Sequence, residues 1–162
     1  MDRVDVQILN LLQQNAKTPQ ADIARQVGLS PAAVNERIKK LETQGVIRRY
    51  VALIDEEKVG CDVTAFIEVF IEHPRFEKSF VDAMKALPEV QEVHHVTGEF
   101  SCLLKIKTRN RTSLKELLLD RINALEGVRQ TRTVIVLSTS KEETHIVPRE
   151  REPGREREPL SF

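Results

Sequence analysis

A chain of 162 residues has room for one domain of ordinary size or two small ones around at least one real core, which excludes a large multidomain enzyme. Its 25 Lys and Arg cancel its 25 Asp and Glu, yet residues 1–50 hold eight basic side chains (Arg3, Lys17, Arg25, Arg37, Lys39, Lys40, Arg48, Arg49) against five acids (Asp2, Asp5, Asp22, Glu36, Glu42), a formal +3 that leaves −3 on the remainder. Cys61 and Cys102 lie far apart without paired spacing, no stretch approaches about 18 consecutive apolar residues, and the start MDRVDVQILNLL has no basic leader region; the chain reads as a cytoplasmic protein with two small core cysteines and neither a disulfide framework nor a zinc site.

Val4, Ile8, Leu11 and Leu12 fall on one face of a helix that runs from Asp2 to near Asn15. Thr18-Pro19 then supplies an N-cap followed by Pro at the first helical position, which predicts a second short helix through Ile23, Ala24 and Val27 that Gly28 stops. Ser30-Pro31 repeats the start signal. The third helix buries Val34, Ile38 and Leu41 and ends at Gly45. VIRRYVALID, residues 46–55, alternates loosely and predicts a strand or small hairpin, with Asp55 to Gly60 leading out of it.

The second half has a period of two. In DVTAFIEVFIE, Val63, Ala65, Ile67, Val69 and Ile71 alternate with Phe66, Glu68 and Phe70, and His73-Pro74 closes the strand. Phe76, Phe80, Met84 and Leu87 mark a helix that Pro88 terminates. VQEVHHVTG and FSCLLKIKT are two strands meeting at Gly98. Leu114, Leu117, Leu118, Ile122 and Leu125 form a second apolar helix face, stopped by Gly127, and VRQTRTVIVLS is the last strand. The order βαββαβ predicts an α+β fold: a ferredoxin-like sandwich of four antiparallel strands under two helices. The domains expected are residues 1–55, a linker 56–62, the sandwich 63–140, and a charged tail 141–162. In the tail REREP recurs at 149–153 and 155–159, without apolar periodicity, so it reads as a solvated extension.

Three short helices, the last two joined by a turn at Gly28-Leu29, make a helix-turn-helix, and the segment after Gly45 makes it winged. A helix entering the major groove of double-stranded DNA needs small residues at its leading end, and Ser30, Pro31, Ala32 and Ala33 supply them. Asn35 and Glu36 point away from the apolar face, where Asn suits adenine N6/N7 and Glu suits cytosine N4. Arg37, Lys39 and Lys40 lie further back, where phosphates pass, and Arg48 and Arg49 on the wing reach the flanking backbone or minor groove. The plainer alternative makes Arg37, Lys39 and Lys40 a solvated face paired with Glu36 and Glu42.

The stretch VDVQILNLLQQNAKTPQADIARQVGLSPAAVNERIKKLETQGVIRRYVALID resembles the DNA-binding half of the Lrp/AsnC, or feast/famine, family, and VHHVTGEFSCLLKIKT resembles its ligand-sensing half. The resemblance covers about residues 2–140. It implies a transcription regulator whose ferredoxin-like domains pair sheet to sheet into homodimers, often assembling into octamers or discs, with amino acids tuning the assembly and no cofactor or metal. It places the effector at Gly98, Glu99, Phe100 and Ser101, between dimers. One position departs from the family, which typically reads Gly, acid, aromatic, Asp in this loop and uses the Asp for the effector's amino group. Ser101 offers an ammonium only a neutral hydroxyl, with Glu99 the one nearby carboxylate, so weak amino-acid binding or another kind of effector is expected.

Two other classes compete. Sirohaem decarboxylase subunits resemble this family in fold, and His94 and His95 are candidates for such chemistry. Adjacent strand residues point to opposite faces, however, so the pair cannot converge on one ligand, and one packed and one exposed histidine is expected. Residues 50–72 contain only Lys58 to hold a macrocycle with many carboxylates. A sensing or assembly protein without DNA binding is opposed by Asn35, Lys39 and Arg48 on one side of the helical region.

Overall fold

The computed structural model describes residues 1–150, which divide into two units: Met1–Ala52 with the segment that starts at Glu142, and Leu53–Lys141. In the first unit, helix α1 spans Arg3–Gln14. It starts where it does because Asp2 and Asp5 cap each other: the Asp5 N–H donates to Asp2 Oδ1 (2.9 Å) and the Asp2 N–H to Asp5 Oδ2 (3.0 Å). Helix α2 spans Gln20–Val27. Its N-cap is Pro19 and not Thr18 as the sequence suggested, because the Thr18 hydroxyl turns back to donate to the Asn15 carbonyl (2.7 Å). Gly28, at φ 71°, takes the left-handed conformation that ends α2, and α3 follows over Pro31–Thr43. Ser30 caps α3 as expected, its Oγ accepting from the Ala33 N–H at 3.2 Å.

Ile8, Ile23, Ala24, Val34 and Ile38 form the core of this unit, with Val4, Leu11, Leu12 and Ile47 packed partly against it. Residues 46–55 form no strand or hairpin. A strand needs a partner for its N–H and C=O groups, and none of the described chain pairs with this segment; Val51, Leu53 and Ile54 stand exposed. The wing is an irregular arm. At the other end of the unit, the Gln13 amide clasps the backbone of Ile146, donating from Nε2 to its carbonyl (2.9 Å) and accepting its N–H at Oε1 (2.8 Å). Most of the REREP repetition lies outside the described residues.

The second unit begins with a short 3-10 turn, Glu57–Val59. Strand β1 (Val63–Ile71), helix α4 (Glu77–Lys85), strands β2 (Val90–His95) and β3 (Cys102–Thr108), helix α5 (Arg111–Glu116) and strand β4 (Val128–Ile135) follow in the expected βαββαβ order. The sheet order is β2-β3-β1-β4, all pairs antiparallel. Ala65, Ile67, Val69 and Ile71 turn toward the helices and are buried with Phe76, Phe80, Met84, Leu104, Ile106, Leu114 and Ile122. The predicted last helix is not one α-helix: after Glu116 it widens into a π-helical stretch, Leu117–Ile122, closed by Asn123 N–H donating to the Leu118 carbonyl. The wider turn lets Leu117 and Ile122, five residues apart, both reach the core. Cys102 fills the core as predicted, and burial pushes its thiol up to about 11, but Cys61 is only half-buried.

Candidate nucleic-acid interface

Helix α3 owes its orientation to Val34, Ile38 and Leu41, all buried, which leave the opposite side to solvent. Ser30, Pro31, Ala32, Glu36, Lys39 and Lys40 are exposed there, and Ala33 and Asn35 half-exposed. No side chain larger than Pro stands on the leading turn, so backbone can approach a surface closely. Among the described residues Lys39 and Lys40 make no ion pair, so neither is neutralised by Glu36 or Glu42. Glu42 is taken instead by Tyr50, whose hydroxyl donates to its Oε1 at 2.9 Å. Burial first, and then Glu42, push the Tyr50 phenol up to about 12. Tyr50 escaped the sequence reading; it ties the irregular arm, with exposed Arg48 and Arg49, to the end of α3.

Arg37 requires correction. It was expected over phosphates, but its guanidinium donates to Asp2 (2.8 Å) and Asp5 (2.7 Å), and its side chain is 33% exposed. Two carboxylates at the start of α1 neutralise it and draw it back, so Arg37 is a strut between α3 and α1. The Asp5 backbone N–H first, and then Arg37, hold the Asp2 carboxyl below its usual range. A carboxyl depressed in the folded state gives stability that is present above its unfolded pKa and lost as pH falls through the folded one. Asp2→Asn keeps the cap and removes the charge. Its thermal stability should lie slightly below the parent at pH 7, and the gap should close below about pH 4. A gap unchanged from pH 7 to pH 3 would show that the charge at Asp2 contributes nothing.

A second residue missed by sequence reading is Gln20. As the first residue of α2 it is exposed, and its Nε2 donates to Asn35 Oδ1 at 3.2 Å. Fifteen positions separate the two, and only the helix-turn-helix geometry brings them together.

In the second unit the loop between β2 and β3 brings Gly98 (φ 119°) and Glu99 to the surface, leaves Ser101 half-buried and covers Phe100. Phe100 is 9% exposed, with the Arg132 guanidinium 5.4 Å from its ring centre. Ser101 is tied to β1: its N–H donates to the Val69 carbonyl (3.0 Å), and its hydroxyl accepts from the Ile71 N–H (3.4 Å). Ser101 is therefore held against β1, and Phe100 lies under the loop. A cleft of about 750 Å³ opens at the opposite end of the same sheet, beside Pro88, Thr108 and Arg109. His94 pairs with Glu92 (2.9 Å), while His95 Nδ1 lies 3.9 Å from Cys102 Sγ. Both histidines are exposed, against the expectation that one is packed. Among the described residues no cluster of three or more His, Cys, Asp or Glu is placed to hold a metal ion, and no helix is long and apolar enough to cross a membrane.

Residues 1–48 match the family model described as winged helix-turn-helix DNA-binding, and residues 64–146 that of the Lrp/AsnC ligand binding domain. The chain is 36% identical over 146 residues to the HTH-type transcriptional regulator FL11 of Pyrococcus horikoshii, covering 90% of this chain and 95% of that one. It is 34% identical over 149 residues to the leucine-responsive regulatory protein of Escherichia coli K12, covering 91% of each. Among solved structures, a transcriptional regulator from Neisseria meningitidis in complex with L-Met superposes with a TM-score of 0.86 at 30% identity, over 90% of this chain and 96% of that one. AsnC of E. coli superposes at 0.85 with 30% identity, over 91% and 99%. These relatives are regulators and not enzymes, which disposes of the decarboxylase alternative. With an exposed, small-headed third helix on one unit and an antiparallel sheet under two helical segments on the other, the chain belongs to the Lrp/AsnC family and is a DNA-binding transcriptional regulator with a ligand-binding domain.

Proposed function

We propose that the protein reads inverted-repeat sites in double-stranded DNA as a homodimer, and that a small effector of amino-acid type changes its assembly. The observation that carries the reading is the solvent side of α3. There Ala32, Asn35 and Glu36 precede Lys39 and Lys40, which places base-reading groups ahead of phosphate-neutralising ones, with Arg48 and Arg49 on the arm as flanking cations. The dimer would form through the outer face of the sheet. On it half-buried Phe66 and Phe70 flank Glu68, which pairs with Arg132, and Val134 is 51% exposed, more apolar surface than a solvated face carries. Dimers assembling further, to an octamer or a disc, would bring the loop of Gly98 and Glu99 of one dimer against another. The N. meningitidis relative was solved with L-Met, so an amino acid is the effector class to try first. Glu99, exposed on that loop, is the carboxylate available to its ammonium group. Such a regulator works in the cytoplasm, where the DNA is, with residues 1–55 binding DNA and 63–140 sensing and assembling.

Footprinting of genomic fragments selected by the protein, with and without each of the twenty amino acids, tests this reading. Protected half-sites should lie in inverted pairs about one helical turn, or a multiple of it, apart. At least one amino acid should change the length of the protected tract. Single unphased half-sites would overturn the dimer, and footprints indifferent to all twenty would overturn the effector class.

A further inference from the structure

A primary amide presents two different edges, and which one faces DNA decides what it reads. Asn35 taken alone can offer a carbonyl and an NH2 side by side, the pairing that suits adenine. It is not alone here. Gln20 Nε2 donates to Asn35 Oδ1 at 3.2 Å, across the turn between α2 and α3, and Gln20 stands in solvent. With the Gln20 NH2 group directed at the Asn35 carbonyl, the oxygen is turned toward α2 and the NH2 group is left as the free edge.

We infer that Gln20 is a positioning residue for base readout, which holds Asn35 with its NH2 outward and so makes position 35 a donor that discriminates against cytosine. In the major groove guanine O6 and thymine O4 accept hydrogen bonds, whereas adenine N6 and cytosine N4 donate them. An outward NH2 group therefore finds an acceptor on guanine (O6, N7), thymine (O4) or adenine (N7), and meets cytosine, which offers only its N4 donor, donor to donor. The inference rests on the reading that Asn35 faces the bases.

The pair also makes a reversal available. Gln20→Glu replaces the donor with a carboxylate, which can only accept. It would take the Asn35 NH2 as its partner, turn the Asn35 carbonyl outward, and move the preference to amino bases. Gln20→Ala would leave the amide free to take either orientation.

Selection of binding sites from a randomised duplex pool, with full-length protein at fixed salt, tests this on four proteins: the parent, Asn35→Ala, Gln20→Ala and Gln20→Glu. In the parent, the base pair whose preference vanishes in Asn35→Ala should disfavour cytosine on the contacted strand. At that same base pair Gln20→Ala should broaden the preference by about fivefold or more, and Gln20→Glu should shift it to adenine or cytosine. Melting temperature and the salt dependence of Gln20→Ala should match the parent, since an exposed amide supports neither the core nor a phosphate. Unchanged preference in both Gln20 variants, with Asn35→Ala active at one position, would overturn the role of Gln20 and leave Asn35 a reader. An Asn35→Ala profile identical to the parent's would overturn both.

Discussion

Gly127→Ala should destabilise the protein by roughly 3 kcal/mol or more, from two costs that fall on one atom. Gly127 sits at φ 86°, which L side chains rarely adopt, and a Cβ there would lie 2.4 Å from Phe76 Cγ and 2.5 Å from Phe76 Cβ. The near end of the Phe76 side chain cannot swing away, because it is anchored in the core between β1 and α4, 8% exposed. Moving the backbone of Gly127 is no easier, since its carbonyl accepts from the Glu72 N–H at 2.9 Å just beyond the end of β1. Gly98→Ala is the control: φ is also positive, 119°, but nothing lies within 4 Å of its added Cβ. It should cost about 1–2 kcal/mol. In thermal unfolding, Gly127→Ala should melt upwards of about 10 °C below the parent, and below Gly98→Ala. Equal melting of the two variants would show that Phe76 yields.

The largest functional effect is expected from removing Lys39, Lys40, Arg48 and Arg49, the cations of the proposed interface, together. In Lys39→Ala/Lys40→Ala/Arg48→Ala/Arg49→Ala the fall of log affinity with log salt should become shallower by about three to four, since each phosphate contact contributes roughly 0.9 to that slope on duplex DNA. The loss should apply to specific and random sequence alike. Arg37→Ala should behave differently, leaving the slope unchanged, because its charge is spent on Asp2 and Asp5. Binding of fragments to the parent and both variants across a salt series distinguishes these outcomes. A fourfold variant with the parent's slope would place the phosphates elsewhere.

The contrast between Lys39 and Arg37 also marks what could be read in advance. Elements set by local chemistry were legible: Ser30-Pro31 starts α3, Gly28 ends α2, and the alternation from Val63 to Ile71 orients β1. Helix spacing put Val34, Ile38 and Leu41 inward and so told which residues of α3 face out. What stayed hidden depended on partners distant in sequence. Arg37 lies one residue from Glu36 on the same helix, but its charge is claimed by acids 32 and 35 positions away. Ser101 looked like an open loop hydroxyl until β1 passed beside it. Thr18 and the arm after Gly45 failed for another reason. Each carried a generic signal, a cap residue before Pro and a loose alternation, and no competing hydrogen bond or missing strand partner shows in a composition.

The clasp between Gln13 and Ile146 bears on how the protein is made. Residues 53–141 intervene between the helices of the DNA-binding unit and the segment that Gln13 holds, so this unit is discontinuous along the chain. During synthesis its three helices leave the ribosome before the ligand-binding unit, and the backbone that Gln13 holds arrives only after that entire unit has emerged. A fragment cut at residue 52 keeps α1, α2 and α3 but leaves the Gln13 amide to water. A piece that keeps the Gln13 clasp extends at least to residue 146, past the whole of the ligand-binding unit.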